Sequence, residues 1–287
     1  MITKIYSGKV RNIYKHEDIN KLYIETTDRL SSFDKHICNL EGKGKLLNLI
    51  SVYMFKKTRY IIPNHYISHN ENTMIVKKCT PFKIEFVVRA YITGNTKTSL
   101  WTHYNNGVRN YCGIDFPENL KKNQKLDFPV ITPTTKDIED VPISKNEIVE
   151  KNYMTMKECD FIYNKALELF KYGEFIARNA GFILVDTKYE FGKDNDGNIL
   201  LIDELHTCDS SRYWIKNTYD NKFANNLEPD KLDKDCIRDW VKNNCDPYND
   251  NIPTIPEELK NKTLESYRYF YEKIYSMEQY KYFYESI

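Results

Sequence analysis

Apolar and polar residues alternate along Phe82–Thr93, the period of a half-buried strand, and Glu85, Arg89, Tyr91 and Thr93 fall on one face. Ile5–Tyr14 and Lys21–Thr27 read as an antiparallel pair joined by a polar turn around His16-Glu17-Asp18, and Tyr66–Cys79 reads as further strand. Lys45–Thr58 is rich in Leu, Ile, Val, Tyr, Met and Phe and reads as a largely buried helix. Thr155-Met156-Lys157-Glu158 matches a capping box. Behind it runs an amphipathic helix over Cys159–Ala180, with Phe161, Ile162, Ala166, Leu169, Phe170, Ile176 and Ala177 toward the core and Gly181 at its end. A short helix over Asp233–Asn244, a linker over Pro247–Pro256 and a last helix opened by Pro256-Glu257-Glu258 complete the pattern. Its aromatic stripe of Tyr267, Phe270, Tyr271 and Ile274 reads as core packing. The seam at Thr80-Pro81 divides a β-rich part, 1–80, from a mixed part, 81–287.

The most informative stretch is Gly181 to Trp214. Phe182–Phe191 and Ile199–Leu205 read as strands flanking Lys193-Asp194-Asn195-Asp196-Gly197-Asn198, a strong hairpin signal. With Asp196-Gly197 at the centre of a two-residue turn, Glu190 faces Asp203 across the ladder, and Asp186, Lys188 and Glu190 share a face. Opposed carboxylates repel. A divalent cation turns that repulsion into a site, with phosphate oxygens completing its shell. The competing reading is a solvated charged face in which Lys188 bridges acids, and a one-residue slip in register reverses the faces.

Composition narrows the class. The chain has 287 residues with 41% hydrophobic content and a net charge of +1, so no global field argues for nucleic acid or an acidic membrane. No apolar run is long enough to span a bilayer, and MITKIYSGKVR lacks the apolar core of a signal peptide. Seven scattered cysteines with no Cys-x-x-Cys pair argue against a disulfide framework or a zinc site and fit a reducing cytosol.

Five further stretches carry chemistry. Ser7-Gly8-Lys9-Val10-Arg11 places a flexible backbone and two cations at a strand start, where a nucleotide could be covered. Asp28-Arg29-Leu30-Ser31-Ser32-Phe33-Asp34 gathers hydroxyls, an Arg and two acids in a loop. Gly94-Asn95-Thr96-Lys97-Thr98-Ser99 is a donor-rich turn suited to phosphate, with Arg89 on the strand before it, open to a carboxylate or phosphate or to a salt bridge with Glu85. Val130–Lys136 reads as an extended loop with Asp140 beyond, and Asp209-Ser210-Ser211-Arg212 adds hydroxyls and a guanidinium after the hairpin.

Together these segments resemble the SAICAR synthetase family of de novo purine synthesis. Asp28–Asp34 is similar to its D-R-[IL]-S-x-F-D segment, Ile84–Gly94 to its first signature, and Leu184–Gly192 to its second. Asp203-Glu204-Leu205-His206-Thr207 and Asp209–Arg212 resemble the block that follows, and the Asp233–Trp240 region resembles the longer, fungal-type members. The resemblance implies an α+β, two-lobed fold: an N-terminal antiparallel β lobe like the small lobe of protein kinases, a larger mixed α/β lobe, and nucleotide in the cleft between. It implies an ATP-dependent ligase joining L-aspartate to the carboxylate of 5-aminoimidazole-4-carboxyribonucleotide through an acyl phosphate, with Mg²⁺ as cofactor.

By the same resemblance Gly8, Lys9, Val10 and Arg11 cover the nucleotide, with Lys9 and Lys188 near its phosphates, and Glu190 and Asp203 ligate the metal. Arg89, Asn95, Ser31, Asp186, Ser211 and Arg212 hold the ribotide, and Asp34 sits by the imidazole carboxylate; Lys188, Asp186, Asp34 and Arg212 form the catalytic group. The expected partners are ATP, the ribotide and L-aspartate, with no nucleic acid and no membrane, in a cytoplasmic monomer or small homo-oligomer. Three positions depart from the family pattern: Asn95 for Ser, Cys208 for Pro and Glu139 for His. A small-molecule kinase is the alternative, but it predicts H-R-D-x-x-x-x-N and D-F-G, which are absent. A non-catalytic nucleotide-binding module would not need Lys188, Glu190 and Asp203 together.

Overall fold

A computed structural model describes residues 3–33, 35–136, 140–232 and 234–284, from residue 277 onward as backbone alone. In chain order the elements are β1 (Lys4–Ser7), β2 (Arg11–Lys15), β3 (Lys21–Thr26), β4 (Arg29–Ser32), β5 (Lys35–Asn39), α1 (Lys43–Lys57), β6 (Tyr66–His69) and β7 (Thr73–Lys77). Then come β8 (Thr80–Ile92), α2 (Leu100–Asn105), β9 (Asn110–Tyr111), β10 (Ile114–Asp115), β11 (Gln124–Thr135), α3 (Lys145–Glu150) and α4 (Met156–Asn179). The chain closes with β12 (Phe182–Lys193), β13 (Ile199–Ile202), β14 (Ser211–Ile215), α5 (Lys216–Ala224), α6 (Asp235–Asn244) and α7 (Glu257–Tyr284).

Two five-stranded antiparallel sheets organise these elements. The first runs β1-β2-β3-β7-β6; the second runs β11-β8-β12-β13, with β14 also paired to β12. β12 is the spine of the second sheet. It pairs with β8 along one side, and on the other with β14 in its first half and β13 in its second. Helix α4 covers this sheet, burying Ile162, Ala166, Leu169, Phe170, Ile176 and Ala177. Phe161, expected in the core, is 39% exposed, one position off the buried stripe. The Thr155–Glu158 capping box forms as read. Helix α1 packs beneath the first sheet and against α7, so the end of the chain returns to brace its beginning.

Several local readings change. Ile5–Tyr14 is not one strand but the hairpin β1–β2, folded back at Gly8, whose amide donates to the Arg11 carbonyl at 2.7 Å. Tyr66–Cys79 likewise divides into β6 and β7. Asp28–Ser32 is not a free loop: Arg29–Ser32 is β4, paired with β5. The Asp28 carboxylate accepts from the Gly42 and Gly44 amides at 3.1 and 2.8 Å, capping α1. Val130–Lys136, read as a loop, belongs through Thr135 to β11, an edge strand that tolerates Pro133.

The central hairpin is displaced by one residue from the expected register. Asp194 and Asn198 close a three-residue loop with Gly197 at φ 81°, so Glu190 pairs with Ile202, not Asp203. The Asp194 carboxylate accepts from the Asp196 and Asn198 amides, which selects this longer turn over the two-residue one.

Gly44 shows how tightly α1 sits under the first sheet. A Cβ there would lie 2.3 Å from the Thr26 carbonyl oxygen, a backbone atom with nowhere to go. Gly44→Ala is expected to cost roughly 3 kcal/mol and lower Tm by roughly 5–10 °C. A calorimetric Tm within a degree or so of the parent refutes that packing.

Candidate active site

Between the two sheets lies a cleft of about 770 Å³, within the range of small-molecule sites. Its roof is the β1–β2 hairpin, with Gly8, Lys9, Val10 and Arg11, and its apolar wall is Ile13, Leu22, Ile24 and Val76 of the first sheet. Across from them stand Glu85, Lys188, Glu190, Ile202, Asp203 and Glu204. One apolar face and one charged face suit an aromatic base with a polyanionic tail.

The charged face is a set of interlocked ion pairs. The Lys188 ammonium lies 2.8 Å from Glu85 and 2.7 Å from Glu190. Lys136 takes the other oxygen of Glu190, and Arg11 pairs with Asp203 at 3.1 Å and with Glu204 at 2.6 Å. Burial alone would push Glu190 upward, but Lys188 and Lys136 outweigh it and hold its pKa well below the usual carboxylate range. Asp203 goes the other way. Burial, with Glu190 and Glu204 nearby, raises it to about 6 against the pull of Arg11 and Lys188, although 23% of its side chain still opens to the cleft.

Asp203 therefore reaches the site by a different route from the one expected. It does not face Glu190 across the ladder. It follows the last residue of β13 at φ 66°, and this left-handed turn brings its carboxylate toward the acids of β12 after the strand has ended.

A second, smaller pocket of about 160 Å³ opens from the first, sharing Lys188, Asp209, Ser210, Lys234 and Arg238 with it. Asp186 lies at its centre, 3.4 Å from the Arg89 guanidinium and 2.5 Å from that of Arg212. Arg89 also donates to Thr132 at 2.7 Å, and Arg212 to Asp235 at 3.0 Å. Arg89 thus pairs with Asp186 rather than with Glu85, which Lys188 takes. The Gly94 turn closes on Ser99, where a Cβ at Gly94 would meet the hydroxyl at 2.4 Å, and Thr96, Thr98 and Ser99 line the pocket. Ser211 lines it too, with its hydroxyl 2.8 Å from that of Thr187.

Of the residues marked in the sequence, Gly8, Lys9, Val10, Arg11, Ser31, Lys188, Glu190 and Asp203 line the cleft, and Arg89, Asp186, Lys188, Ser211 and Arg212 line the smaller pocket. Ser31 donates to the Lys35 carbonyl at 2.9 Å. Asn95 is placed otherwise: its side-chain amide donates to Asp239 at 3.0 Å and its backbone carbonyl accepts from Lys242, so it joins the turn to α6. Asp34 and Glu139 lie outside the described residues. Cys208 is fully buried against the smaller pocket.

Four contributors were not marked in the sequence. Lys136 sits just past β11, and Glu204 follows Asp203. Lys234 and Arg238 stand four residues apart, at the N-cap and in the first turns of α6, a helical spacing that puts both at the junction of the two pockets. That spacing was visible, but nothing local says α6 packs here.

Residues 4–255 match the model of the SAICAR synthetase family. The chain is 52% identical over 270 residues to the chloroplastic phosphoribosylaminoimidazole-succinocarboxamide synthase of Arabidopsis thaliana, covering 93% of this chain and 65% of that protein. It is 51% identical over 274 residues to the synthase of that name from Legionella pneumophila (strain Lens), covering 94% and 87%. A SAICAR-synthase from Saccharomyces cerevisiae, complexed with SAICAR, superposes with a TM-score of 0.79 at 27% identity over 95% of this chain and 94% of that one. A type-2 SAICAR synthetase in complex with ADP superposes with a TM-score of 0.71 at 26% identity over 96% and 97%. Two lobes, a nucleotide-sized cleft and this kinship make the molecule an ATP-dependent carbon–nitrogen ligase. The chain belongs to the SAICAR synthetase family.

The Lys234 amine is the soft point of the junction. Burial pushes its pKa down to about 8; Asp209 pulls it upward, while Arg238 and Lys43 add to the depression. Its charge is present below that value and lost above it, so affinity for SAICAR should fall severalfold between about pH 7 and about pH 9. Lys234→Arg should flatten the dependence. A calorimetric titration with the same pH slope in both proteins excludes Lys234 as its source.

Proposed function

We propose that the cleft and the pocket divide one reaction between them. As a SAICAR synthetase the chain ligates aspartate to carboxyaminoimidazole ribotide at the expense of ATP. In the reading favoured here a ribotide carboxylate oxygen attacks the γ-phosphorus of ATP, and ADP leaves. The amine of L-aspartate then attacks the acyl carbon of the acyl phosphate; phosphate leaves, the amine gives up a proton, and an amide remains. The observation that carries this reading is Lys188, which lines both cavities and so stands where a phosphoryl group would cross from one to the other.

ATP lies under the hairpin, its base against Leu22, Ile24 and Val76 and its phosphates toward Lys9 and Lys188. The ribotide lies in the smaller pocket. Arg89, Arg212 and Ser211 hold its phosphate and carboxylate, and Asp186 orients both guanidinium groups. The family resemblance assigns Asp34 to the imidazole carboxylate. Lys234 and Arg238 supply the positive charge that two polyanions and an incoming dicarboxylate require at the junction. Catalysis is then mainly positioning and charge neutralisation.

Mg²⁺ fits this arrangement. Glu190 and Asp203 line the same cleft and sense each other's charge, and two carboxylates plus phosphate oxygens suit that ion. Two protein carboxylates leave most of the ion's shell to phosphate oxygens and water, which suits an ion that arrives with the nucleotide. When bound it neutralises the triphosphate. Both oxygens of Glu190 are taken by lysines, so a bound ion would have to displace Lys136 or Lys188 from one of them.

Among the described residues no helix is long and apolar enough to cross a membrane. Seven free cysteines suit a reducing compartment such as the cytoplasm.

Asp203→Asn is expected to raise the Mg²⁺ needed for half-maximal turnover by about tenfold while Tm stays within a few degrees. Normal ADP release at low Mg²⁺ removes Asp203 as a ligand. Arg89→Ala is expected to raise the ribotide KM by about tenfold or more, with a much smaller change for ATP. Equal changes for both substrates make Arg89 structural. If ADP appears without a requirement for both ribotide and aspartate, the ligase reading fails.

A further inference from the structure

Arg29 belongs to a stretch that stood out in the sequence, yet the division of the reaction leaves it without a task. Its guanidinium reaches back onto the hairpin roof. One Nη donates to the Gly8 carbonyl at 2.9 Å and to the Asn12 side chain at 3.0 Å, and Nε donates to the Lys9 carbonyl at 3.3 Å. The Val10 carbonyl is held by Thr27, through its amide at 2.9 Å and its hydroxyl at 2.6 Å. Three successive carbonyls at the hairpin tip are thus fastened by two residues at the end of β3 and the start of β4.

The two arms of the hairpin are held differently. β2 is laddered to β3, and Arg11 pairs with Asp203 and Glu204. All four residues of β1 are exposed, and β1 pairs only with β2 at the edge of its sheet. Apolar burial therefore contributes little to where the β1 arm sits, and the hydrogen bonds at the tip matter more there. Arg29 is itself anchored. Its carbonyl accepts from the Lys43 ammonium at 2.9 Å, and Lys43 pairs at 2.6 Å with Asp209, their side chains 0% and 2% exposed. Asp209 lines both cavities and takes a hydrogen bond from Tyr267 of α7 at 2.8 Å. The roof is tied through Arg29 and Lys43 to the floor.

We propose that Arg29 is the positioning residue for the nucleotide: it fixes the Gly8–Arg11 hairpin at the height that ATP phosphates require. The inference rests on the reading that this hairpin covers the nucleotide. A planar fork that reaches two consecutive carbonyls and a side-chain oxygen has no equivalent in a single ammonium, so lysine does not replace it.

The test is a calorimetric titration of the full chain with ADP and, separately, with SAICAR, on the parent, Arg29→Lys and Arg29→Gln. Amide hydrogen exchange over residues 8–11 and Tm are measured alongside. Both variants are expected to bind ADP about tenfold or more weakly, with faster exchange in the hairpin, SAICAR affinity within about twofold and Tm within a few degrees. Thr27→Val, which removes only the hydroxyl on Val10, should shift ADP affinity the same way by less, and it keeps the question open to test if an Arg29 variant does not fold. ADP that protects the parent hairpin but binds all variants equally overturns the role of Arg29 and leaves the nucleotide reading standing. ADP that fails to protect the parent hairpin overturns both. Equal losses for ADP and SAICAR with a fall in Tm reduce Arg29 to scaffold.

Discussion

Lys188 between Glu85 and Glu190 is the contact on which the site depends. Two acids on adjacent strands, both withdrawn from water, repel strongly in a medium of low dielectric. The ammonium 2.8 and 2.7 Å away makes that juxtaposition tenable. Removing one member of such a buried pair typically costs about 3–5 kcal/mol, because a charge is left without a partner. Lys136 on Glu190 and Arg11 on Asp203 and Glu204 extend the same logic outward. On the proposed reading, a cleft that takes a metal-bound triphosphate must keep acids and cations at close quarters before the ligand arrives. The ion pairs hold the carboxylates in place in the meantime.

The scaffold for this arrangement is the way β12 is shared. Its second half pairs with the hairpin strand β13 and its first half with β14. Alternation then puts Asp186, Lys188 and Glu190 on one face, in a line from the smaller pocket to the cleft. Asp186 pairs with the guanidinium groups of Arg89 and Arg212 in the smaller pocket, Glu190 lines the cleft, and Lys188 lines both. On the proposed reading one strand then sets the spacing between two substrates, and side chains on a strand in the middle of a sheet are held more rigidly than side chains on loops.

The roof obeys a different rule. The β1 arm packs little apolar surface, and the hairpin tip is fastened by Arg29 and Thr27, while β2 is laddered to β3 and Arg11 joins the ion pairs below. Floor and roof tip so differ in what holds them: ion pairs and a central strand below, hydrogen bonds to backbone carbonyls above. The first suits groups that must not move during phosphoryl transfer, and the second a cover that must admit and release a nucleotide.

Much of the molecule was legible along the chain. The period of Phe82–Thr93, the capping box at Thr155–Glu158, the stripe of α4 and the turn residues near Gly197 are local signals, and each produced the element it implies. So did the alternation that unites Asp186, Lys188 and Glu190, since it needs only a strand. The register of the hairpin was decided elsewhere: the Asp194 carboxylate gathers two amides and lengthens the turn by one residue, a choice the dipeptide Asp-Gly leaves open. Asp203 then depends on a left-handed backbone angle that no alternation rule contains. Lys234 and Arg238 enter because α6 lies against the pocket, where its Asp235 meets Arg212 of β14, and Lys136 because it reaches Glu190 across β8 from the end of β11; Asn95 turns to Asp239 because α6 lies there. Local sequence set which residues share a strand face or a helix stripe, because those periods come from covalent geometry. Which charges meet across elements was settled only by packing, because a buried charge takes whatever partner the fold brings within reach.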